Sequence, residues 1–219
     1  MLKLTNVSKK YKDHIVFNSV TIDMSKPNIY VFQGINGSGK STILKVLAGI
    51  IYKSEGRMEK NVTISYLPDK FNMPKLMKAK SYVYNILKMR DLSDLTDELI
   101  SKFQIPNKRI GDLSKGNQQK LGLLQVLYNE ADCYILDEPL DGLDDFAKHL
   151  VKDIIKEYKE KGKIIIMSLH GKNLFNDLKP VVFDIKDGFI NTKSKRKKKE
   201  EIMDEEKELQ DNISDITIS

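Results

Sequence analysis

The segment Gly34-Ile35-Asn36-Gly37-Ser38-Gly39-Lys40-Ser41 has the spacing G-x-x-x-x-G-K-S. Its glycines allow a tight backbone turn that aims several N–H groups at one anion. An apolar run, Ile29 to Phe32, precedes it, and Ile43, Leu44, Leu47 and Ala48 follow at helical spacing. The loop therefore joins a strand to a helix N-terminus, the context in which this pattern binds phosphate. Lys40 is placed to reach the β- and γ-phosphates of a nucleotide and Ser41 to ligate Mg2+. The alternative is a glycine-rich turn with no ligand. All eight positions in this context favour ATP or GTP.

A second group lies at Cys133-Tyr134-Ile135-Leu136-Asp137-Glu138. A continuously apolar strand, of the kind buried on both faces of a sheet, delivers two carboxylates at its C-terminal end. Strand C-termini are where doubly wound sheets bind ligands. Asp137 suits the Mg2+ that Ser41 also contacts. Glu138 is positioned to orient or deprotonate an attacking water. Taken alone, the pair is equally an ordinary strand end with solvated acids. A phosphate loop in the same chain favours the catalytic reading.

The elements that must position these groups read as follows. Leu2–Val7, His14–Met24 and Ile29–Phe32 are strand-like, with turn signals between them, and suggest an antiparallel layer ahead of the loop. After the loop, strands and helices alternate, which argues for a layered α/β core. Strands are expected at Val62–Leu67, Cys133–Leu136, Ile164–Leu169 and Val181–Ile185. Helical patterns run over Ser81–Phe103, Leu113–Asn129 and Asp144–Lys161, the last closed by Gly162.

Composition narrows the class. The chain has 219 residues, 40% apolar, enough for one packed domain or one with a small subdomain. No apolar run is long enough to span a membrane, and the strand-like start is read as lacking a secretory signal. The single cysteine, Cys133, suits a reducing compartment and a buried position. Three histidines and one cysteine do not suggest a protein-built zinc site. The net charge of +6 is concentrated in no groove-like pattern, and aromatic residues do not interleave with the basic ones. No nucleic-acid partner is expected. Lys193–Lys199 followed by Glu200, Glu201, Asp204, Glu205, Glu206 and Glu208 reads as a solvated, segregated tail.

Taken together, residues 1 to about 190 resemble the ATP-binding cassette (ABC) ATPases. The loop at 34–41 is similar to their Walker A motif, and Leu136-Asp137-Glu138-Pro139 to their Walker B motif with its catalytic glutamate. Leu113-Ser114-Lys115-Gly116-Asn117-Gln118-Gln119-Lys120 resembles their signature sequence, Leu140-Asp141-Gly142-Leu143-Asp144 their D-loop, and Ser168-Leu169-His170 their switch-histidine segment. Tyr11 is similar to the aromatic residue that stacks on adenine. The resemblance implies an α/β fold: a phosphate-loop ATPase core with a mainly parallel sheet, an N-terminal antiparallel β layer and a small helical subdomain. It implies a nucleotide-binding domain over 1–192, with a helical and signature subdomain at about 69–130. The tail, 193–219, is then disordered or a short helix.

The activity implied is hydrolysis of ATP with Mg2+. The resemblance gives catalytic roles to Lys40, Glu138 and His170. It gives nucleotide contacts to Tyr11, Asn36, Gly37, Ser38, Gly39, Lys40, Ser41, Thr42, Ser114, Gly116 and Asp141, and a metal site to Ser41, Asp137 and Asp69. Ser114 and Gly116 stand where a helix begins, and on helix statistics alone Ser114 is an N-cap. The resemblance implies that they cap the γ-phosphate held by a second nucleotide-binding domain, head to tail. It also implies a membrane permease partner and a cytoplasmic location at the inner face of the cell membrane. His14 and His149 match no motif and read as structural.

Three departures qualify this. Asp69, after Tyr66-Leu67-Pro68, stands where the family's Q-loop glutamine is usual; it either tunes the metal or caps a turn. Lys115 replaces the first signature glycine, and Asn117 the glutamine. The stretch between Asp69 and Leu113 is short, as in small exporter-type ATPases. Within that stretch Phe71, Met73, Leu76 and Met77 are either a contact patch or the core of a small helix. The leading reading is the ATPase subunit of an ABC transporter, an exporter of drug, peptide or polysaccharide type. The alternative is a soluble ABC ATPase of a cofactor-assembly or other non-transport system.

Overall fold

The computed structural model describes residues 1–170 and 174–192. The charged segment 193–219, for which a solvated tail or short helix is expected, lies outside the described residues. Two sheets sandwich one helix. The smaller sheet has the order β2-β1-β4, built from β1 (Leu2–Tyr11), β2 (His14–Asp23) and β4 (Glu55–Lys60). Both of its pairings are antiparallel, as the sequence suggested for Leu2–Val7 and His14–Met24, whereas Ile29–Phe32, grouped with them there, pairs parallel on both sides in the larger sheet. The larger sheet has the order β5-β6-β7-β3-β8-β9. Its members are β3 (Ile29–Gln33), β5 (Ile64–Leu67), β6 (Cys133–Leu136), β7 (Ile164–Leu169), β8 (Val181–Lys186) and β9 (Phe189–Thr192). Four of its pairings are parallel, and β9 closes the edge antiparallel to β8.

Helix α1 (Lys40–Ala48) lies between the sheets. Strand alternation sorts the core into two parts. Tyr30 and Phe32 face α1, where Ile43, Leu44 and Leu47 meet Leu2 and Leu4 of the smaller sheet. Ile29 and Val31 face the other way, toward α4 (Lys115–Leu127) and α5 (Asp145–Glu160). Burial on both faces explains why β6 and β7 are apolar at nearly every position. Each large side chain so buried contributes about 1.5–3 kcal/mol. Cys133 is fully buried in this core, a small hydrophobe as expected.

The sequence and the structure differ between β5 and α4. The single helical pattern over Ser81–Phe103 is two helices, α2 (Ala79–Lys88) and α3 (Thr96–Lys102), with a 3-10 turn at Ser93–Leu95. The chain turns at Asp91, whose φ of 56° lies in the left-handed region that aspartate tolerates. Phe71, Met73 and Met77 pack against the main core, so most of the suspected contact patch is local core. Only Leu76 of the four is strongly exposed. Gly122 of α4 leaves room for the Phe71 ring.

Candidate active site

Parallel strands end in register here, which is why distant segments meet. Gln33 of β3 pairs with Leu169 of β7, and Leu136 of β6 pairs with Met167 of β7. The phosphate loop, the carboxylates after β6 and the histidine after β7 therefore leave the same edge of the sheet.

The loop is built around its lysine. Gly39 sits at φ 102° as the N-cap of α1, and an added Cβ would stand 2.8 Å from Val16. Glycine meets both demands. Lys40 follows and is 4% exposed, its ammonium donating to the carbonyls of Gly34 and Ile35 at 3.0 and 3.1 Å. Desolvation holds its pKa below the usual lysine value, while the charges of Glu138 and Asp137 oppose that shift. Ser38 Oγ is buried in the loop with no protein partner. Asn36 and Gly37 are exposed at the tip, and Ser41 and Thr42 are half-buried in the first turn of α1. A cavity of about 540 Å3 opens beside the loop, between the starts of β2 and the turn after β8. Ile15 and Val16 line it, apolar walls that no motif marked. Tyr11, the register partner of His14, is half-exposed, with the Lys9 ammonium 4.5 Å from its ring centre.

Asp137 is fully buried. Its Oδ1 accepts from Ser168 Oγ at 2.6 Å, whereas Oδ2 is buried with no protein partner. Ser168 Oγ in turn accepts the Glu138 N–H at 2.8 Å. Glu138 has φ 49°, a strained conformation for its residue type. Its Oε1 lies 2.6 Å from His170 Nε2. The strand-end residues thus form a chain of contacts: Asp137, Ser168, Glu138, His170. Ser168 was visible in the sequence within the Ser168-Leu169-His170 segment, but its link to Asp137 and Glu138 was not.

A buried carboxylate oxygen without a partner fits a hard cation, since an uncompensated buried oxygen is costly. Ser41, one residue beyond Lys40, would supply a hydroxyl, and water or phosphate oxygens the rest. Asp69 lies near enough to this set to share its electrostatic neighbours with Asp137 and Glu138. It is exposed, two residues beyond β5, and its charge is felt by Tyr66 and Lys115. His14 is exposed, and His149 Nδ1 contacts the Asp145 carbonyl at 2.7 Å within α5.

The start of α4 forms a second, more exposed cluster. Ser114 caps the helix, its Oγ accepting from the Asn117 N–H. Gly116 packs so closely on the loop after β6 that an added Cβ would lie 2.3 Å from the Gly142 carbonyl oxygen. Lys115 Nζ lies 2.6 Å from Asp141 Oδ2, and Lys120 Nζ lies 2.8 Å from Asp144 Oδ2. Gln119 Nε2 donates to the carbonyls of Glu138 and Pro139. These links were not legible in the motifs.

Comparison with known proteins accords with this arrangement. A family profile described as ABC transporter matches residues 17–141. An uncharacterized ABC transporter ATP-binding protein of Methanocaldococcus jannaschii is 35% identical over 177 residues, covering 77% of this chain and 68% of the relative. The lantibiotic transport ATP-binding protein SrtF of Streptococcus pyogenes is 30% identical over 183 residues, covering 78% and 80%. A solved ATP-binding cassette, in a dimeric post-hydrolysis state bound to ADP and Pi, superposes with a TM-score of 0.75 at 21% identity, covering 87% of this chain and 97% of the other. Among the described residues no helix is long and apolar enough to cross a membrane. The chain belongs to the ABC transporter family, as one of its ATP-hydrolysing nucleotide-binding proteins.

Proposed function

We propose that this chain is a half-site: it hydrolyses Mg·ATP between two nucleotide-binding domains arranged head to tail, and drives an export-type permease. The observation that carries the catalytic part is the contact chain from Asp137 through Ser168 to Glu138 and His170. It places a candidate base beside a carboxylate with an open oxygen. Lys40 and the N–H groups of Asn36, Gly37, Ser38 and Gly39, with the α1 N-terminus, hold the β- and γ-phosphates. Thr42 extends that set, and Tyr11, the register partner of His14 in the cavity lining, stacks on the base. Ser41 and Asp137 hold Mg2+, which neutralises phosphate charge when bound. Asp69 tunes the metal requirement.

Glu138 accepts a proton from the attacking water. The new bond forms between the water oxygen and the γ-phosphorus, and the bond to the β–γ bridging oxygen breaks. His170, donating from Nε2, fixes the carboxylate and reaches the γ-phosphate. Ser114 and Gly116, with Asp141 beside them, face the nucleotide of the second domain. That domain is needed because the phosphate loop and the signature helix of one chain are separate clusters. The dimeric state of the solved cassette supports the same arrangement.

Export is supported by the similarity to a relative named as an export protein, CcmA of Reclinomonas americana, and by the short stretch between β5 and α4, while a zinc import protein of a Wolbachia is also similar. That stretch, at about residues 69–103, docks on the permease and holds the chain at the inner face of the cell membrane. The catalytic test is turnover of Glu138→Gln with and without Mg2+. Retained binding with lost turnover supports the roles given, and full turnover rejects them. Co-expression with the membrane protein encoded beside this chain, followed by vesicle transport assays, tests direction: efflux supports export and uptake rejects it.

A further inference from the structure

Lys115 occupies a position where glycine is usual in the sequences this chain resembles, and it is a poor choice on local grounds. A cation in the first turn opposes the helix dipole. Asp141 offsets it, at 2.6 Å, across 26 positions of sequence. Each charge favours the ionised form of the other: the Asp141 carboxyl is held below its usual range by Lys115, and the Lys115 ammonium is raised by Asp141. The Lys115 side chain is 73% exposed and the Asp141 side chain 50%, so the pair lies on the surface.

The pair is the outermost of several links between the same two segments. Gly116 lies against the Gly142 carbonyl with no room for a side chain. Gln119 holds the carbonyls of Glu138 and Pro139, and Lys120, 5% exposed, pairs with Asp144. The loop 138–144 is therefore fastened to α4 from inside outward, and Lys115 fastens its solvent-facing end.

We propose that Lys115 is a positioning residue, whose ion pair with Asp141 clasps the loop after β6 to the first turn of α4, so that both meet a second copy of the chain as one rigid surface. The proposal rests on the reading that two copies close over ATP. It adds that the geometry of one copy's Glu138 and the presentation of its Ser114 are set together. Without the clasp, closure must also order the loop, and pairing weakens by that entropy.

The test is a double-mutant cycle in the Glu138→Gln protein. Light scattering with Mg·ATP gives the dimer dissociation constant for Lys115→Met, Asp141→Asn, both together, and Lys115→Arg. Each single change to a neutral residue is expected to weaken pairing roughly threefold, the scale of an exposed ion pair. The double variant should be no weaker than either single, and Lys115→Arg should pair like its parent. Additive losses overturn the clasp. Weakening by Lys115→Met with none by Asp141→Asn also overturns it, and makes the ammonium a direct phosphate contact. Amide hydrogen exchange of the single chain without nucleotide keeps the clasp testable if the parent never pairs. Faster exchange of the Asp141 and Leu143 N–H groups in Lys115→Met supports the clasp and places the failure in the two-copy reading. Unchanged exchange overturns the clasp itself.

Discussion

The phosphate loop and the signature helix both present a helix N-terminus, yet they are built in opposite ways. Around Lys40 and Asp137 the charged groups are buried, at 4% and 0% exposure, and are fixed by the loop's own carbonyls and by Ser168. Around Ser114 the charged groups, Lys115 and Asp141, stand in solvent. The first region is a completed pocket wall. The second is a surface whose exposed charges pair with each other and whose glycine packs on the loop after β6. The difference teaches how the two helix starts are held: the first by buried charges and loop carbonyls, the second by an ion pair at the surface, the division of labour that the proposed shared site requires.

Substitutions in the buried region should have the largest effects. Glu138→Gln is expected to lower turnover about 10^2–10^4-fold with ATP affinity retained, as loss of a general base does. Lys40→Ala should instead weaken ATP binding, by roughly 10–100-fold, the scale of a charge-assisted hydrogen bond. Single-turnover rates and equilibrium titration separate the two. Equal defects in both parameters for both variants would erase the distinction between binding wall and base.

Stability should divide along the same line. Asp144→Ala removes the cap of α5, where the Ala147 N–H donates to Asp144 Oδ1, and leaves the buried Lys120 ammonium unpaired. A cost of about 2–4 kcal/mol is expected, read from the urea midpoint. Asp141→Asn, on the exposed pair, should leave the midpoint nearly where it was. Lys120 and the Ala147 N–H hold the Asp144 pKa below its ordinary value. Its contribution is therefore present above the unfolded carboxylate pKa, about 4. It is lost as pH falls through the lower folded value. Stability curves of wild type and Asp144→Ala should accordingly converge below about pH 4. Parallel curves down to acid unfolding would place the stabilisation elsewhere.

A smaller effect is expected at Ser168→Ala. It leaves the Glu138 N–H and Asp137 Oδ1 without their shared partner, at about 1–3 kcal/mol. Because Asp137 is then less fixed, the Mg2+ concentration for half-maximal turnover should rise. An unchanged metal titration would show that Asp137 is held by its strand alone.

How much of this was legible in the sequence depends on range. Gly34–Ser41, Cys133–Glu138 and Leu113–Lys120 are contiguous, so their chemistry and their strand or helix context could be read directly. Most core strands followed from apolar runs. Strand β4, Glu55-Gly-Arg-Met-Glu-Lys, escaped because its residues are charged and exposed; it is an edge strand held by its ladder to β1. The short β9 escaped likewise, as a four-residue edge added by a turn at Asp187 and Gly188. The break at Asp91 carries no glycine or proline, so periodicity ran through it. Lys115–Asp141 and Lys120–Asp144 could not be read at all. Each joins residues more than 20 positions apart, and nothing local marks which acid meets which lysine.

The measurement that bears most directly on the two-region comparison is complementation between two inactive chains. Lys40→Ala spoils the buried wall. Ser114→Asp spoils the rim, since aspartate keeps the N-cap but repels phosphate. If each site is shared by two chains, a mixed dimer holds one site with both halves intact. Mixed at equal amounts, the two variants should then regain about a quarter of wild-type turnover, because about half the dimers are mixed and one of two sites in each is whole. Turnover that stays at the sum of the separate variants at every mixing ratio, with both variants folded, would contradict a site shared between chains.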